Sequence, residues 1–166
     1  MNLKKFTKLM LLLVVSFSIA NTTNAQCTSW KDLEAGSVEK ESAESSYQIY
    51  KDHLKEKNYE AAVVAWEKLM ATAPIADGKR ISPFWDGIKM MKELNKKETD
   101  EAKKLERNAR IVKLHEQCIE CLENKSIKLS RVKTDEALQE KIGDQMARQA
   151  DDMFDMDEVE PAAIYA

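Results

Sequence analysis

The sequence predicts an all-α fold of antiparallel helix pairs, and three observations carry that prediction. Glycine and proline are scarce, four and three in 166 residues, beside many Glu, Lys, Ala and Leu. Apolar residues recur at three- and four-residue spacing through most of the chain beyond residue 37. Caps and helix breakers divide that pattern into five segments, and no segment alternates as a strand would.

The chain begins with Lys4, Lys5 and Lys8, continues through an apolar run over residues 9–20, and leaves it by a polar exit ending at Ala25. This is the layout of a secretory signal cut after Ala25, its apolar run too short to cross a hydrocarbon core of roughly 30 Å as a helix. Cys27 sits where a lipid-bearing cysteine would stand, but Gln26 precedes it where that processing wants a small residue, so a lipid anchor is not the preferred reading. Removing residues 1–25 takes away three lysines and no acid, leaving 23 basic and 29 acidic residues and a formal charge of −6. That balance, with no dense Lys/Arg stripe, argues against a nucleic-acid partner. The remaining 141 residues suit one domain with no transmembrane helix.

Residues 26–36 form a leader that Trp30 and Leu33 either pin to the first helix or leave unanchored. Ser37 caps a first helix running to about Lys57, with Val38, Ala43, Tyr47, Tyr50 and Leu54 on one face, and Asn58 breaks it. The second helix starts near Tyr59 and buries Tyr59, Ala62, Val63, Trp66, Leu69, Met70 and Ala73. Pro74 ends it, since proline has no amide hydrogen and clashes with the preceding turn. After a loop over residues 75–81, Ser82 as cap and Pro83 at the first helical position open a third helix with Phe84, Ile88, Met91 and Leu94 inward. Thr99 or Asp100 caps the fourth, whose core face reads Ala102, Leu105, Ala109, Val112, Leu114, Cys118, Ile119 and Leu122. A basic, polar connection over 123–133 leads to Thr134, the cap of a fifth helix with Leu138, Ile142, Met146, Ala150 and Met153 inward. The expected division is a signal over 1–25, the leader over 26–36, a helical domain over 37–154 and an acidic, flexible tail over 155–166.

Residues 46–74 (SYQIYKDHLKEKNYEAAVVAWEKLMATAP) carry the strongest pattern. They resemble the tetratricopeptide repeat, a unit of about 34 residues made of two antiparallel helices. Ile49, Tyr59, Ala62, Trp66 and Pro74 stand at the family's aliphatic, turn-aromatic, small, aromatic and terminal-proline positions. Tyr50, His53, Leu69 and Ser46 depart from it, and Tyr50 in place of a small residue implies a wider helix pair. The third and fourth helices would be a second, lengthened unit and the fifth the opening of a third, so the implied architecture is a short tetratricopeptide-like α-solenoid. With its signal and the later LHEQCIECL, the chain looks like the start of exported repeat proteins of Bacteroidetes-type bacteria. That resemblance implies envelope localisation, periplasmic or at the outer membrane, and protein contacts rather than catalysis. The scaffold residues would be Ile49, Tyr59, Ala62, Trp66, Leu69 and Pro74. The surface offered to a protein or peptide partner would be Tyr47, Tyr50, His53, Lys57, Trp85 and Lys89. A solenoid without a polar cap leaves a face open, so the final helix is expected to take a partner, to self-associate, or to be followed by further repeats in a longer chain; the last reading is preferred.

Cys118 and Cys121 form a CxxC, the pattern of a redox pair or of two zinc ligands. It lies inside a helix on the apolar face, with no second pair to complete a metal site. Small buried hydrophobes are therefore the plainer reading, a disulfide with Cys27 as a candidate partner the next, and thiol-redox or metal handling the functional alternative. His53 and His115 are expected as surface or groove residues, and no orienting carboxylate for His115 is identifiable. Asp151, Asp152, Asp155, Asp157, Glu158 and Glu160 read as a solvated acidic stretch, there being no glycine-bearing loop to gather them around a cation. No cofactor, metal or enzymatic activity is expected.

Overall fold

Helices α1 (Val38–Lys55), α2 (Tyr59–Thr72), α3 (Ser82–Asn95), α4 (Glu101–Glu123) and α5 (Asp135–Asp155) make up the computed structural model, which describes residues 27–156. Among the described residues there is no strand, and no helix is long and apolar enough to cross a membrane. The expected signal over 1–25 and most of the expected tail lie outside the described residues.

Four of the five starts follow from the cap residues. Ser37, Asn58, Asp100 and Thr134 accept hydrogen bonds from first-turn amides, Ser37 from Lys40 at 3.2 Å and Thr134 from Ala137 at 3.2 Å. The exception is α3. Ser82 is its first helical residue rather than its cap, Ile81 holds the cap position without a side-chain bond, and Pro83 comes second. Proline is still harmless there, because amides in the first turn have no carbonyl to meet. The α1–α2 turn closes through Lys57 at φ 58°, with Asn58 N–H donating to His53 O and Lys57 N–H to Leu54 O, a Schellman arrangement with lysine at the left-handed position.

Each helix packs chiefly against its neighbours in sequence. The α1–α2 pair meets over Ala43, Tyr47 and Tyr50 on one side and Ala62, Trp66 and Leu69 on the other, all buried. Trp66 then reaches α3. Its indole lies on the backbone at Gly87, and its Nε1–H donates to Pro83 O at 2.7 Å. Side chains also join alternate helices. Tyr50 Oη and Lys51 Nζ both donate to Asp86, α1 to α3, at 3.1 and 3.0 Å. Arg110 of α4 meets Glu67 of α2 at 3.5 Å, and Trp85 of α3 donates to Gln145 of α5 at 2.8 Å.

The leader is anchored. Trp30 N–H donates to Ala76 O at 2.9 Å, Ser29 Oγ–H donates to the same carbonyl at 2.8 Å, and Cys27 is disulfide-bonded to Cys121 of α4.

Several predicted core positions face solvent instead. Val38 lies before the first buried turn of α1, and Ile49 sits one residue off the Ala43–Tyr47–Tyr50 face; both are exposed. Ala102 and Leu105 are exposed because Asn95, the last residue of α3, hydrogen-bonds Asn108, so the first two turns of α4 stand beyond the end of α3. In α5 the inward line is Leu138, Ile142, Gln145 and Asp152, while Met146 and Ala150 turn outward. Repeated steps of four advance about 40° per step around a helix of 3.6 residues per turn, so a face stays inward only by mixing threes with fours.

Candidate functional site

The densest polar arrangement lies inside the packing of α3, α4 and α5. Trp85 Nε1–H donates to Gln145 Oε1, Gln145 Nε2 lies 2.6 Å from His115 Nδ1, and His115 Nε2 lies 2.9 Å from Asp152 Oδ2. Lys92 Nζ closes the chain on the other oxygen of Asp152. Hydrogen-bond inventory assigns every proton. An indole N–H can only donate, so the Gln145 oxygen faces Trp85 and its amide nitrogen donates to His115 Nδ1. Nδ1 is therefore unprotonated, and Nε2–H donates to the Asp152 carboxylate. Arg148 covers the outer side, its guanidinium 4.8 Å from the Trp85 ring centre.

Two expectations are corrected here. His115 is buried rather than on a surface, and it has an orienting carboxylate, Asp152, from the stretch read as a solvated acidic tail. The pair is 37 residues apart, on different helices, which spacing within one helix cannot reveal. The arrangement resembles half of a nucleophile-activating triad, but both ring nitrogens are occupied, by Gln145 and Asp152, leaving none to accept a proton from a hydroxyl or thiol. These bonds join three helices.

The cysteines divide unequally. Cys121 is bonded to Cys27 across 94 residues, with a Cα–Cα distance of 5.5 Å, so the CxxC cysteines are not each other's partner. Cys118 is free and buried, and desolvation pushes its thiol up to about 12. A thiol held protonated in this way is neither a nucleophile nor a ready metal ligand. Among the described residues no three His, Cys, Asp or Glu side chains gather as a metal site would need.

Of the six residues expected to face a partner, the two tyrosines do not. Tyr50 is fully buried, its hydroxyl pushed well above the ordinary tyrosine value by burial and then by Asp86. Tyr47 packs edge-on between Tyr50 and Trp30, and its hydroxyl accepts a bond from Arg80 at 2.9 Å. Buried in α1, Tyr50 reaches α3 through its hydroxyl bond to Asp86. Trp85 is half-buried in the polar chain, and His53 is half-exposed beside Glu56. Lys57 and Lys89 are exposed, and both lie near Glu93, whose carboxyl is held below its usual range first by Lys96 and then in part by these two lysines. Of the expected scaffold residues, Ala62, Trp66, Leu69 and Pro74 are buried, Tyr59 is half-buried, and Ile49 is exposed.

Two surfaces take a form that the sequence pattern did not specify. One is the outward face of α5, where Met146 and Phe154 are exposed large apolar side chains and Ala147 and Ala150 lie between them. The other is an open cavity of about 540 Å³ between the loop after α2 and the connection before α5. Its signal was present in the chain, since residues 125–133 hold Lys125, Lys128, Arg131 and Lys133 and no acid. No known protein family, characterised protein or solved structure matches the chain.

Proposed function

We propose that this chain is an exported, non-enzymatic interaction module, a short tetratricopeptide-like stack whose last described helix receives an amphipathic helix of a protein partner. The outward face of α5 carries this reading. Over residues 143–154, winding α5 at 100° per residue gathers Met146, Ala150, Gly143, Phe154 and Ala147 into one sector roughly 100° wide, with Gln139 and Glu136 in the same sector nearer the helix start. Glu140, Asp151, Asp144 and Asp155 occupy the sector beside it, all exposed, with Asp144 paired to Lys141 at 2.9 Å. Two large apolar groups separated by small residues form a surface into which another helix can settle. The acidic border selects a partner helix with lysines or arginines along one edge of its apolar stripe.

Stacking supports the repeat-like reading. Helices that meet mainly their sequence neighbours, with alternate helices tied by Tyr50–Asp86, Glu67–Arg110 and Trp85–Gln145, follow the nearest-neighbour logic of a solenoid. Export is supported by the Cys27–Cys121 disulfide, which suits an oxidising compartment. A Cys27 sulfur held in that bond is also not available to a lipid.

The test is titration of the purified chain with a designed peptide helix bearing a leucine stripe and a lysine edge, followed by amide exchange and sedimentation. Saturable binding that protects α5 and disappears in the Met146→Glu/Phe154→Glu variant supports the reading. Binding that the double variant leaves unchanged, or no binding, removes it. Dimerisation through the same face would assign the surface to a second copy and overturn the partner-helix reading.

A further inference from the structure

We propose that the cavity between the loop after α2 and the connection before α5 is a binding site for a phosphate-type anion carrying an apolar group. Its lining combines lysines with aliphatic side chains. Lys79, Lys125, Lys128 and Lys133 line it against one carboxylate, Asp135. Lys125 and Asp135 pair with each other at 2.7 Å. Lys79, Lys128 and Lys133 have no carboxylate within ion-pair distance among the described residues, although acids outnumber bases in this chain. The floor is Ile127 and Leu138, both buried, with Leu129 and Val132 half-buried beside them.

Although both walls are loops, they are held in place. Lys128 N–H donates to Gly78 O at 2.8 Å, bolting one wall to the other, and Ile127 N–H donates to Cys121 O at 3.1 Å. Gly78 adopts φ +72°, in the left-handed region, where Lys79 N–H can bond Asp77 Oδ1 at 3.0 Å. The disulfide anchors Cys121, and through it the base of the cavity. The backbone that carries the lysines is thus held in place without a ligand.

The charge count selects the ligand. Lys79, Lys128 and Lys133, without a carboxylate partner among the described residues, put like charges around one cavity, and an anion of more than one charge, as in a phosphate ester, offsets them better than a single carboxylate. The apolar floor adds affinity for a hydrocarbon group attached to that phosphate. A long polyanion is disfavoured, because the protein beyond the cavity is acidic overall. A phospholipid headgroup and a small soluble phosphate ester share this chemistry.

The experiment follows the amide resonances of residues 127–134 in the full chain while hexyl phosphate, inorganic phosphate and hexanol are added separately. Flotation with phosphatidylcholine vesicles, with and without phosphatidic acid, runs beside it. The expected result is saturable shifts with hexyl phosphate, weaker ones with inorganic phosphate, and none with hexanol. Lys128→Gln and Lys133→Gln should each weaken binding roughly tenfold, the loss expected for one charge-assisted contact. Lys103→Gln, on the exposed start of α4, should leave it unchanged. Binding of hexyl phosphate in solution identifies a soluble ester, and flotation only with phosphatidic acid identifies a headgroup; either supports the site. The proposal falls if neither probe binds, or if Lys103→Gln weakens binding as much as Lys128→Gln. Thermal melts of the glutamine variants separate a lost site from a lost fold.

Discussion

The indole of Trp66 occupies the place where a side chain at position 87 would begin: a Cβ on Gly87 would lie 2.3 Å from Cζ2 of the ring. Helix α2 therefore approaches α3 to ring-on-backbone contact, and the Trp66–Pro83 hydrogen bond sets the angle of that approach. Two effects oppose each other in Gly87→Ala. Alanine gains about 1 kcal/mol of helix propensity over glycine, whereas overpacking a filled core costs about 1–3 kcal/mol. A methyl at this distance meets a rigid ring rather than a flexible chain end, so the cost wins. Urea unfolding should show Gly87→Ala less stable by up to about 2 kcal/mol; a stabilised variant would mean that the ring has room to move.

Lys57 stands at φ 58° in the turn between α1 and α2, where glycine is favoured. Its side chain is exposed, so the left-handed backbone is the main energy at stake. Lys57→Gly should raise stability by about 0.5–1 kcal/mol, read as a higher urea midpoint at unchanged slope.

Reduction should loosen the leader first. Closing a loop of this length, 94 residues, is worth about 4–5 kcal/mol in the chain-entropy account, and measured losses of native disulfides run about 2–5 kcal/mol. Cys27→Ser/Cys121→Ser should fall in that range by chemical denaturation. In the oxidised protein Cys118 should resist alkylation until the chain unfolds.

Cys118 also predicts a decline of stability at alkaline pH. Burial raises its thiol from an ordinary 9.0 to about 12, so the folded state holds the proton over a range in which the unfolded chain has released it. The resulting stability is fully present below pH 9 and is lost as pH rises from there through about 12. Tyr50 is displaced in the same direction. Replacing Cys118 by alanine should flatten part of the alkaline decline in unfolding free energy measured between those limits.

Gln145 can be tested by removing its amide. Gln145→Leu leaves the Trp85 N–H and the His115 Nδ1 without partners inside the helix packing, at a cost of about 1–3 kcal/mol for each group stranded. Nitrogen-15 spectra of His115 in the unaltered chain should show Nε2 protonated and Nδ1 bare. The opposite tautomer would require the Gln145 amide to be reversed, with the Trp85 N–H facing an NH₂ group.

Helix number, helix limits and most caps were legible in the sequence, because they depend on interactions within a few residues. Ser37, Asp100 and Thr134 act on amides two or three positions away, as does Asn58, which was expected only to break the first helix, and Pro74 stops α2 through its own ring. Buried faces were legible where a helix is flanked along its length, as at Ala62, Trp66 and Leu69. They were not at Leu105, which overhangs α3, or at Met146, which lost its inward place to Gln145. Periodicity says that a helix has an apolar face, but not which helix covers it or where that cover ends. The linking of Cys27 to Cys121, of His115 to Asp152, and of the lysine-lined loops across Gly78 and Lys128 joins residues far apart in sequence. Those pairings were decided only when the helices stacked, since burying a polar group requires a partner and the stacking determines which partner is within reach.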